Sequence, residues 1–168
     1  MENRSSVSHL SVLIVDDEKS IRGFLRTYLY GMMGITRIEE ATNGVEALLC
    51  VRTHPEINLI LLDLKMPTMD GLETVQEILN INPRVCIVIL TGYPYYQQTV
   101  KSLDQPNVRA FLVKPPDLGD LDRVLGIASA CIAKTASQAA DRLDGWRRHV
   151  SRHVHSLASV SPLLRPRC

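Results

Sequence analysis

The sequence predicts an α/β fold in which five parallel strands form a doubly wound sheet. Five short apolar runs rich in β-branched residues indicate strands, and segments with helical spacing alternate with them. Four of the runs are continuously apolar, which is typical of parallel strands covered on both faces. The order is therefore (βα)5, and right-handed crossovers leave few ways of connecting it.

The predicted strands differ in polarity, and this difference places one of them at an edge. They comprise residues 12–15, 37–41, 59–62, 85–90 and 110–113. The second run, Arg37-Ile-Glu-Glu-Ala41, is more polar than the others. A polar strand suits a sheet edge, so we expect the second strand there.

The segments between the strands show the spacing of amphipathic helices. The fourth, near residues 97–103, is short and weakly apolar, and the fifth begins after Pro115-Pro116 with Asp117 as a candidate N-cap. Each segment is expected to pack one face on the sheet. The residues that set the spacing are Ile21, Leu25, Tyr28 and Leu29 in the first segment; Val45, Leu48, Leu49 and Arg52 in the second; Leu72, Val75, Ile78 and Leu79 in the third; and Leu121, Val124, Leu125 and Ala128 in the fifth.

Composition and charge divide the chain into three parts. Residues 1–9 predict a flexible N-terminus, residues 10–134 hold the alternating elements, and residues 135–168 form an extension expected to be helical and partly disordered. The extension carries six Arg and two Asp, a net +4, whereas residues 1–134 carry thirteen Lys or Arg and sixteen Asp or Glu, a net −3. The acidic body and the basic extension are therefore expected either to bind different partners or to bind each other.

The cysteines and the hydropathy predict a cytoplasmic protein. No apolar run approaches the roughly 18 residues that a membrane-spanning helix needs, and the N-terminal stretch is polar. The four cysteines lie far apart without a C-x-x-C pair, which argues against a zinc site and a disulfide framework. A reducing compartment without membrane insertion fits best.

Five polar residues lie at the carboxyl ends of the predicted strands. Asp16 and Asp17 close the first strand, Asp63 the third and Thr91 the fourth, and Lys114 follows the fifth. In a doubly wound sheet the ligand crevice lies outside these strand ends. We therefore expect the five side chains to form one site.

The predicted site has the composition of a divalent cation site that handles phosphate. Three carboxylates brought together repel one another, and a hard cation such as Mg²⁺, or Mn²⁺ in its place, relieves that repulsion. Asp63, on the predicted central strand, is the candidate nucleophile, because Asp forms acyl phosphates. Asp16 and Asp17 would clamp the metal, and Lys114 and Thr91 would bind phosphoryl oxygens.

Four segments resemble the receiver domains of response regulators. They are Val-Leu-Ile-Val-Asp-Asp-Glu at 12–18, Leu-Leu-Asp-Leu-Lys-Met-Pro-Thr-Met-Asp-Gly at 61–71, Ile-Leu-Thr-Gly at 89–92 and Phe-Leu-Val-Lys-Pro-Pro at 111–116. The likeness spans about residues 10–134. It implies a phosphorylation-dependent signalling domain of the two-component type, which catalyses only its own phosphorylation and dephosphorylation and is not otherwise an enzyme.

The resemblance also implies particular structural details. It implies the flavodoxin-like strand order 2-1-3-4-5, a phosphohistidine donor on a sensor histidine kinase or phosphotransfer protein, and a metal ligand from the backbone carbonyl of Lys65. It further implies a cis peptide between Lys114 and Pro115. Phe111 matches the family's switch aromatic, which turns inward when Thr91 is drawn toward the phosphoryl group. The output face for a downstream protein would then be formed by the fourth and fifth predicted helices and the fifth strand.

The chain departs from the family pattern next to the candidate hydroxyl. Gly92 follows Thr91 where the family commonly has Ala, and Tyr93-Pro-Tyr-Tyr96 is an unusually aromatic entry to the fourth predicted helix. Tyr93 is a candidate shield of the acyl phosphate against water. The switching mechanism is thus less constrained by the resemblance than the chemistry is.

Three other functions were weighed. In a transcription factor a receiver controls a DNA-binding domain, but roughly 34 residues after Lys134 are too few for a winged helix, so DNA binding is not predicted beyond weak phosphate contacts by the arginines. A phosphohydrolase of the Asp-x-Asp type would place its nucleophile after the first strand, whereas Asp63 lies on the third and is followed by Lys65 at the second position. A degenerate docking module would not need Asp63, Lys114 and the acidic pair.

The extension carries an apolar stripe that includes Trp146 among arginines and histidines. The arginines and histidines are expected to be its solvated face. Its apolar stripe favours a helix that binds a partner or forms a homodimer, and inhibition of its own receiver is the alternative left open.

Overall fold

The fold is a five-stranded parallel sheet with helices on both faces. The structure, a computed structural model, describes residues 7–93, 95, 98 and 105–158, except for the side chains of residue 139 and residues 145–158. Its elements are β1 (Ser11–Val15), α1 (Lys19–Thr27) with a π-helical turn (Tyr28–Met32), β2 (Arg37–Ala41), α2 (Gly44–Thr53), β3 (Leu59–Leu62), α3 (Gly71–Ile81), β4 (Cys86–Thr91), β5 (Val108–Val113) and α4 (Leu118–Ala158). The strand order is β2-β1-β3-β4-β5 and all four pairings are parallel.

This topology confirms the predicted fold class, the strand order and the edge position of β2. The predicted bounds of β2 and β3 match the structure, and the others differ by one or two residues. The order places β3 at the centre, between β1 and β4.

Two apolar cores fill the two faces of the sheet. Successive strand residues point to opposite faces, so Val12 and Ile14 join the core under α1 and α4, whereas Leu13 and Val15 join the core under α2 and α3. The predicted inner face of the fifth helical segment is buried as expected, on the first turns of α4.

Of the apolar residues that set the spacing of the second helix, Leu48 packs partly buried on the core, but the other two do not. Val45 and Leu49 are 52% and 63% exposed, and the buried residues of α2 are instead Gly44, Ala47 and Val51. The reason is close packing, because a Cβ at Gly44 would collide with the side chains of α3 and of the loop before it. Small residues let the two helices approach, and the larger apolar ones remain outside.

The two ends of the chain are described only in part. Val7 is buried in the first core, and the amide of Asn58 donates a hydrogen bond to the carbonyl of His9, so residues 7–9 pack on the body. Residues 1–6 and 159–168, where flexibility and disorder were predicted, and most of the predicted helix near residues 97–103 lie outside the described residues.

The extension predicted after Lys134 is helical, as α4 runs from Leu118 to Ala158. Contacts within the chain divide it into Met1–Ile132, which contains the sheet, and Ala133–Cys168, which contains the later turns of α4. Within the described residues, no helix combines the length and apolarity needed to cross a membrane.

Candidate functional site

The five polar residues predicted from the strand ends come together at the carboxyl edge of the sheet. Asp16 follows β1, Asp63 follows β3, Thr91 ends β4 and Lys114 follows β5. One carboxylate oxygen from each of Asp16, Asp17 and Asp63 lies within 4.8 Å of the others. The sheet therefore concentrates three negative charges in one place.

The sheet itself positions these residues, because its hydrogen-bond pattern continues past the strand ends. The amide of Asp16 donates to Ala41 at 3.1 Å, and that of Asp63 donates to Val15 at 2.9 Å. The amide of Lys114 donates to the carbonyl of Thr91 at 3.0 Å. Such placement on rigid elements fixes the side chains more closely than a free loop would.

Lys114 lies between the two buried carboxylates. Its Nζ is 2.7 Å from Oδ2 of Asp16 and 2.7 Å from Oδ2 of Asp63, and the lysine side chain is only 8% exposed. The contact with Asp63 is a hydrogen bond, and the one with Asp16 is an ion pair of the same length. Glu18, at 3.3 Å, is a third partner and is more exposed.

Burial and neighbouring charges shift the pKa values of Asp16 and Lys114 in opposite directions. Burial raises the pKa of Asp16, and the neighbouring Lys114 ammonium offsets this only in part. Burial lowers the pKa of Lys114, but its contacts with Asp16 and Asp63 outweigh burial and leave that pKa raised. The lysine thus stays protonated, while one ammonium does not fully compensate the buried acid beside it.

Each buried carboxylate also accepts a backbone hydrogen bond. Oδ1 of Asp16 accepts from the amide of Glu18 at 2.9 Å, and Oδ1 of Asp63 accepts from the amide of Lys65 at 3.2 Å. These bonds fix the rotation of both carboxyl groups. Oδ2 of each is thereby directed to Lys114.

The cluster opens onto a cleft of about 640 Å³. A cleft of this size admits a cation together with a phosphoryl group, and its walls carry both acids and lysines. Its lining residues are Asp17, Glu18, Ile21, Asp63, Lys65, Gly92, Tyr93, Lys114 and Pro115.

The oxygen-rich donor set suits a hard divalent cation. Carboxylates are the ligands that Mg²⁺ takes in proteins, and Asp17 is exposed to the cleft while Asp16 and Asp63 are buried beneath it. Oδ2 of Asp16 is buried, and its close partner among the described residues is the Lys114 ammonium at 2.7 Å, so a cation that took this oxygen would displace the lysine from it. The three acids could therefore hold a metal.

The structure also describes the surroundings of Thr91, Phe111 and the peptide between Lys114 and Pro115. Oγ1 of Thr91 is buried and accepts or donates no hydrogen bond within the described part of the chain. Phe111 pairs with Ile89 across the sheet and packs, partly buried, on the core under α2 and α3. The cis peptide between Lys114 and Pro115 is present.

Sequence reasoning missed what Gly71 does. Asp70, the residue before it, caps α3 by accepting from the amides of Leu72 and Glu73. But a Cβ at Gly71 would lie 2.5 Å from the carbonyl oxygen of Asp63. Gly71 therefore allows α3 to begin directly against the residue at the centre of the site.

Sequence reasoning also missed Arg22. Its guanidinium donates to the carbonyls of Asp16 and Asp17 and to Glu40 on β2. The available signal was a cation in the helix after the acidic pair, together with unexplained acids on the edge strand.

Comparison with known proteins agrees with this geometry. The family model described as "Response regulator receiver domain" matches residues 12–125. A transcriptional regulatory protein, ZraR of Klebsiella oxytoca, is 34% identical over 125 residues, which are 74% of this chain and 27% of that protein. A protein-glutamate methylesterase/protein-glutamine glutaminase of Hahella chejuensis is 42% identical over 85 residues, 50% of this chain and 24% of that protein.

Solved structures of response regulators align with this chain over nearly their whole length. The response regulator protein TrrA of Thermotoga maritima, in complex with Mg(2+)-BeF, aligns with a TM-score of 0.62 and 31% identity, covering 70% of this chain and 96% of that one. The REC domain of AraT, a response regulator from Geobacillus stearothermophilus, aligns with a TM-score of 0.67 and 27% identity, covering 76% and 98%.

The chain spans less than a third of the length of the first curated relatives, 27% of ZraR and 29% of the regulatory protein AtoC of Escherichia coli. The likeness is therefore to part of each of those proteins. With the family model covering residues 12–125 and the strand order and acidic edge in place, the chain belongs to the response regulator receiver domains of two-component systems.

Proposed function

We propose that Asp63 accepts a phosphoryl group from a phosphohistidine donor in a reaction that needs Mg²⁺, and that the phosphorylated domain signals through a changed protein-binding surface. The observation that carries this proposal is the position of Lys114 Nζ, 2.7 Å from both Asp63 and Asp16, with a third carboxylate beside them. A structural ion pair would need one acid, whereas phosphoryl transfer needs this set.

The transfer replaces one bond to phosphorus with another. A carboxylate oxygen of Asp63 forms an O–P bond as the P–N bond of the donor phosphohistidine breaks, and the donor imidazole leaves with the electron pair. The cleft above Asp63 leaves room for this approach. The product is an acyl phosphate on Asp63, whose hydrolysis returns the domain to its resting state.

The other residues bind the group that is transferred. Lys114 supplies a charged donor to one phosphoryl oxygen, and the Thr91 hydroxyl, which is unpaired among the described residues, supplies a donor to another. Asp16, Asp17, Asp63 and the backbone carbonyl of Lys65 would hold the Mg²⁺, or Mn²⁺ in its place. A bound cation neutralises charge that develops on the phosphoryl oxygens.

Signalling would follow from movement of Thr91. If its hydroxyl moves toward the phosphoryl group, space opens behind β4 for Phe111, which already packs partly buried on the adjacent strand. The surface formed by β5, the first turns of α4 and the predicted helix near residues 97–103 would change in consequence. A downstream protein would recognise that surface.

For the rest of the chain, the proposal names only the segments, the class of phosphoryl donor and the location. Residues 10–134 would constitute the receiver, with residues 7–9 packed on it, and residues 135–168 a basic helical extension that binds a partner or a second copy. The phosphoryl donor would be a sensor histidine kinase or a phosphotransfer protein, and a cytoplasmic location goes with such a donor. DNA binding and catalysis on other substrates are not part of the proposal.

Intact-mass analysis tests the chemistry. Wild-type protein incubated with Mg²⁺ and acetyl phosphate should gain one phosphoryl group, and Asp63→Asn should gain none because the amide is not a nucleophile. Glu73→Gln, which removes an exposed carboxylate from the neighbouring helix α3, serves as the matched control and should gain the group normally. Chelation of Mg²⁺ should prevent the gain in wild type and in Glu73→Gln.

Two results would contradict the proposal. Phosphorylation of Asp63→Asn at the wild-type rate would place the acceptor elsewhere. A wild-type protein that gains nothing from either acetyl phosphate or a phosphorylated histidine kinase would be a docking module with an unused site.

A further inference from the structure

Arg22 ties the loop that carries the acidic pair to the edge strand. Its Nη1 donates to the carbonyl oxygens of Asp16 at 2.9 Å and Asp17 at 3.2 Å. Its Nε donates to Oε2 of Glu40 at 3.2 Å. The Arg22 side chain is 12% exposed, so these contacts are made largely out of water. One planar guanidinium therefore fixes two consecutive peptide units and is itself held by β2.

The two acids depend on this contact to different degrees. Asp16 is already fixed by its strand bond to Ala41 and by the amide of Glu18 on its carboxylate. Asp17 is exposed, and its carboxylate accepts no hydrogen bond within the described residues. Its direction thus depends on the backbone between residues 16 and 18, whose carbonyls Arg22 holds. Loss of Arg22 would free Asp17 more than Asp16.

We propose that Arg22, held in place by Glu40, is a positioning residue that sets the affinity of Asp16 and Asp17 for the divalent cation. The inference rests on the proposed function, because that function supplies the cation. Arg22 acts from behind the loop: it does not line the cleft, and its bonds go to backbone oxygens and to Glu40. It therefore acts through the geometry of the ligands.

The direction in which Mg²⁺ affinity changes when Arg22 is removed distinguishes a positioning role from an electrostatic one. Arg22 carries a positive charge close to the metal ligands, so electrostatics alone predicts that its removal tightens Mg²⁺ binding. Positioning predicts the opposite, because ordered ligands lose less entropy when the cation binds. Partners that orient metal ligands in this way typically alter affinity by about 10- to 100-fold.

The chain offers a charge-preserving variant and a matched control. Arg22→Gln removes both the charge and the forked donor, whereas Arg22→Lys keeps the charge and loses the fork. Arg26 is the control, because its Nη1 also contacts Glu40, at 3.2 Å, but bonds to the carbonyl of Ile38 instead of the acidic loop. Arg26→Gln removes an equal charge from the same helix.

Calorimetric titration with MgCl₂, without any phosphodonor, measures the affinity directly on the full chain. Arg22→Gln is expected to weaken Mg²⁺ binding by about tenfold and Arg22→Lys nearly as much, while Arg26→Gln should stay within about twofold of wild type. Phosphorylation by acetyl phosphate at stepped Mg²⁺ gives the second readout. The half-saturating Mg²⁺ should rise in both Arg22 variants, and the rate at saturating Mg²⁺ should return close to that of wild type.

The outcomes separate this inference from the function on which it rests. If wild type binds Mg²⁺ and gains a phosphoryl group but Arg22→Gln binds Mg²⁺ as tightly or more tightly, the positioning role is refuted and the function stands. If Arg22→Lys binds as wild type does, the forked donor is not needed, and the positioning role is again refuted. If wild type neither binds Mg²⁺ nor gains the group, both fail.

Thermal unfolding in chelator checks that Arg22→Gln is folded. If it is not, Glu40→Gln takes its place, since that change loosens Arg22 without removing it. It should weaken Mg²⁺ binding in the same direction but less, and unchanged binding would refute the role of the pair.

Discussion

Replacing Lys114 by Met should destabilise the metal-free protein and make it more responsive to Mg²⁺. Met keeps the apolar stem of the lysine and removes the ammonium that lies 2.7 Å from one oxygen of Asp16 and one of Asp63. The two acid side chains are 2% and 5% exposed, so water does not take over the lost contact. Two buried carboxylates are then left facing one another.

The size of the effect follows from these distances. At 2.7 Å and an effective dielectric constant of about 20, each ion pair is worth about 6 kcal/mol before desolvation. Desolvation of the ions offsets much of this, and removal of one partner from a buried ion pair typically costs about 3 to 5 kcal/mol. We expect the free energy of unfolding of Lys114→Met in chelator to fall by about that amount.

Mg²⁺ should recover much of the loss. In wild type a bound cation would compete with Lys114 for Asp16 and Asp63, whereas in the variant it would not, so its affinity should rise. A cation at a hundredfold excess over its dissociation constant adds about 2.7 kcal/mol of stability, and tighter binding adds more. The gain on adding Mg²⁺ should therefore be larger in the variant than in wild type.

Urea unfolding with chelator and with saturating Mg²⁺ measures both effects. Lys65→Met is the control, because Lys65 lines the same cleft but its side chain is exposed and makes no ion pair among the described residues. It should change stability by no more than about 0.5 kcal/mol in either buffer. Equal stability of Lys114→Met and wild type in chelator, or an equal gain from Mg²⁺, would refute the reasoning.

Three further predictions concern the same edge of the sheet. Because burial raises the pKa of Asp16, its ionisation opposes folding, so the contribution of Asp16 to wild-type stability in chelator should fall as pH rises from the unfolded value of 3.8 through the raised folded pKa. Asp16→Asn should flatten that fall and unfold at higher urea near pH 7, and an unchanged pH profile would contradict the argument. Gly71→Ala should cost about 1 to 3 kcal/mol and slow phosphorylation, because its Cβ would lie 2.5 Å from the carbonyl of Asp63. Gly126→Ala, with nothing within 4 Å of its Cβ, should be neutral or stabilising in the same urea experiment. Tyr93→Ala should speed phosphate loss from the acyl phosphate, measured by mass against time, because Tyr93 lines the cleft; an unchanged rate would remove it as a shield.

The parts that sequence predicted best are those fixed by strong local patterns. Continuous apolar runs identified β1, β3 and β4, and the polar run identified β2 as an edge strand. Parallel strands place their carboxyl ends at one edge, so the acids, the threonine and the lysine could be assigned to one site before any coordinates existed. The cis peptide at Pro115 came from family likeness alone.

What sequence could not predict depends on how closely elements approach. Apolar spacing assigned Val45 and Leu49 to the inner face of α2, but the small residues Gly44 and Ala47 occupy that face because α3 lies close by. The same limitation hid Gly71, whose role is visible only when the distance to Asp63 is known. Periodicity measures where apolar residues fall, and it does not measure the space available to them.

The side chains of Lys114 and Arg22 should have opposite effects on the affinity for Mg²⁺. This contrast tests whether the site is organised as described. Three carboxylates and one ammonium leave a net charge of 3 − 1 = 2 negative at the cluster, which a divalent cation neutralises. Lys114 reduces the need for that cation because it occupies the same oxygens, so its loss should tighten Mg²⁺ binding. Arg22 contacts only backbone oxygens of the acids, so its loss should weaken binding even though a positive charge is removed from the same neighbourhood. If both substitutions moved the affinity in one direction, net charge alone would account for the site, and the arrangement of donors around Asp16 and Asp17 would be irrelevant to its chemistry.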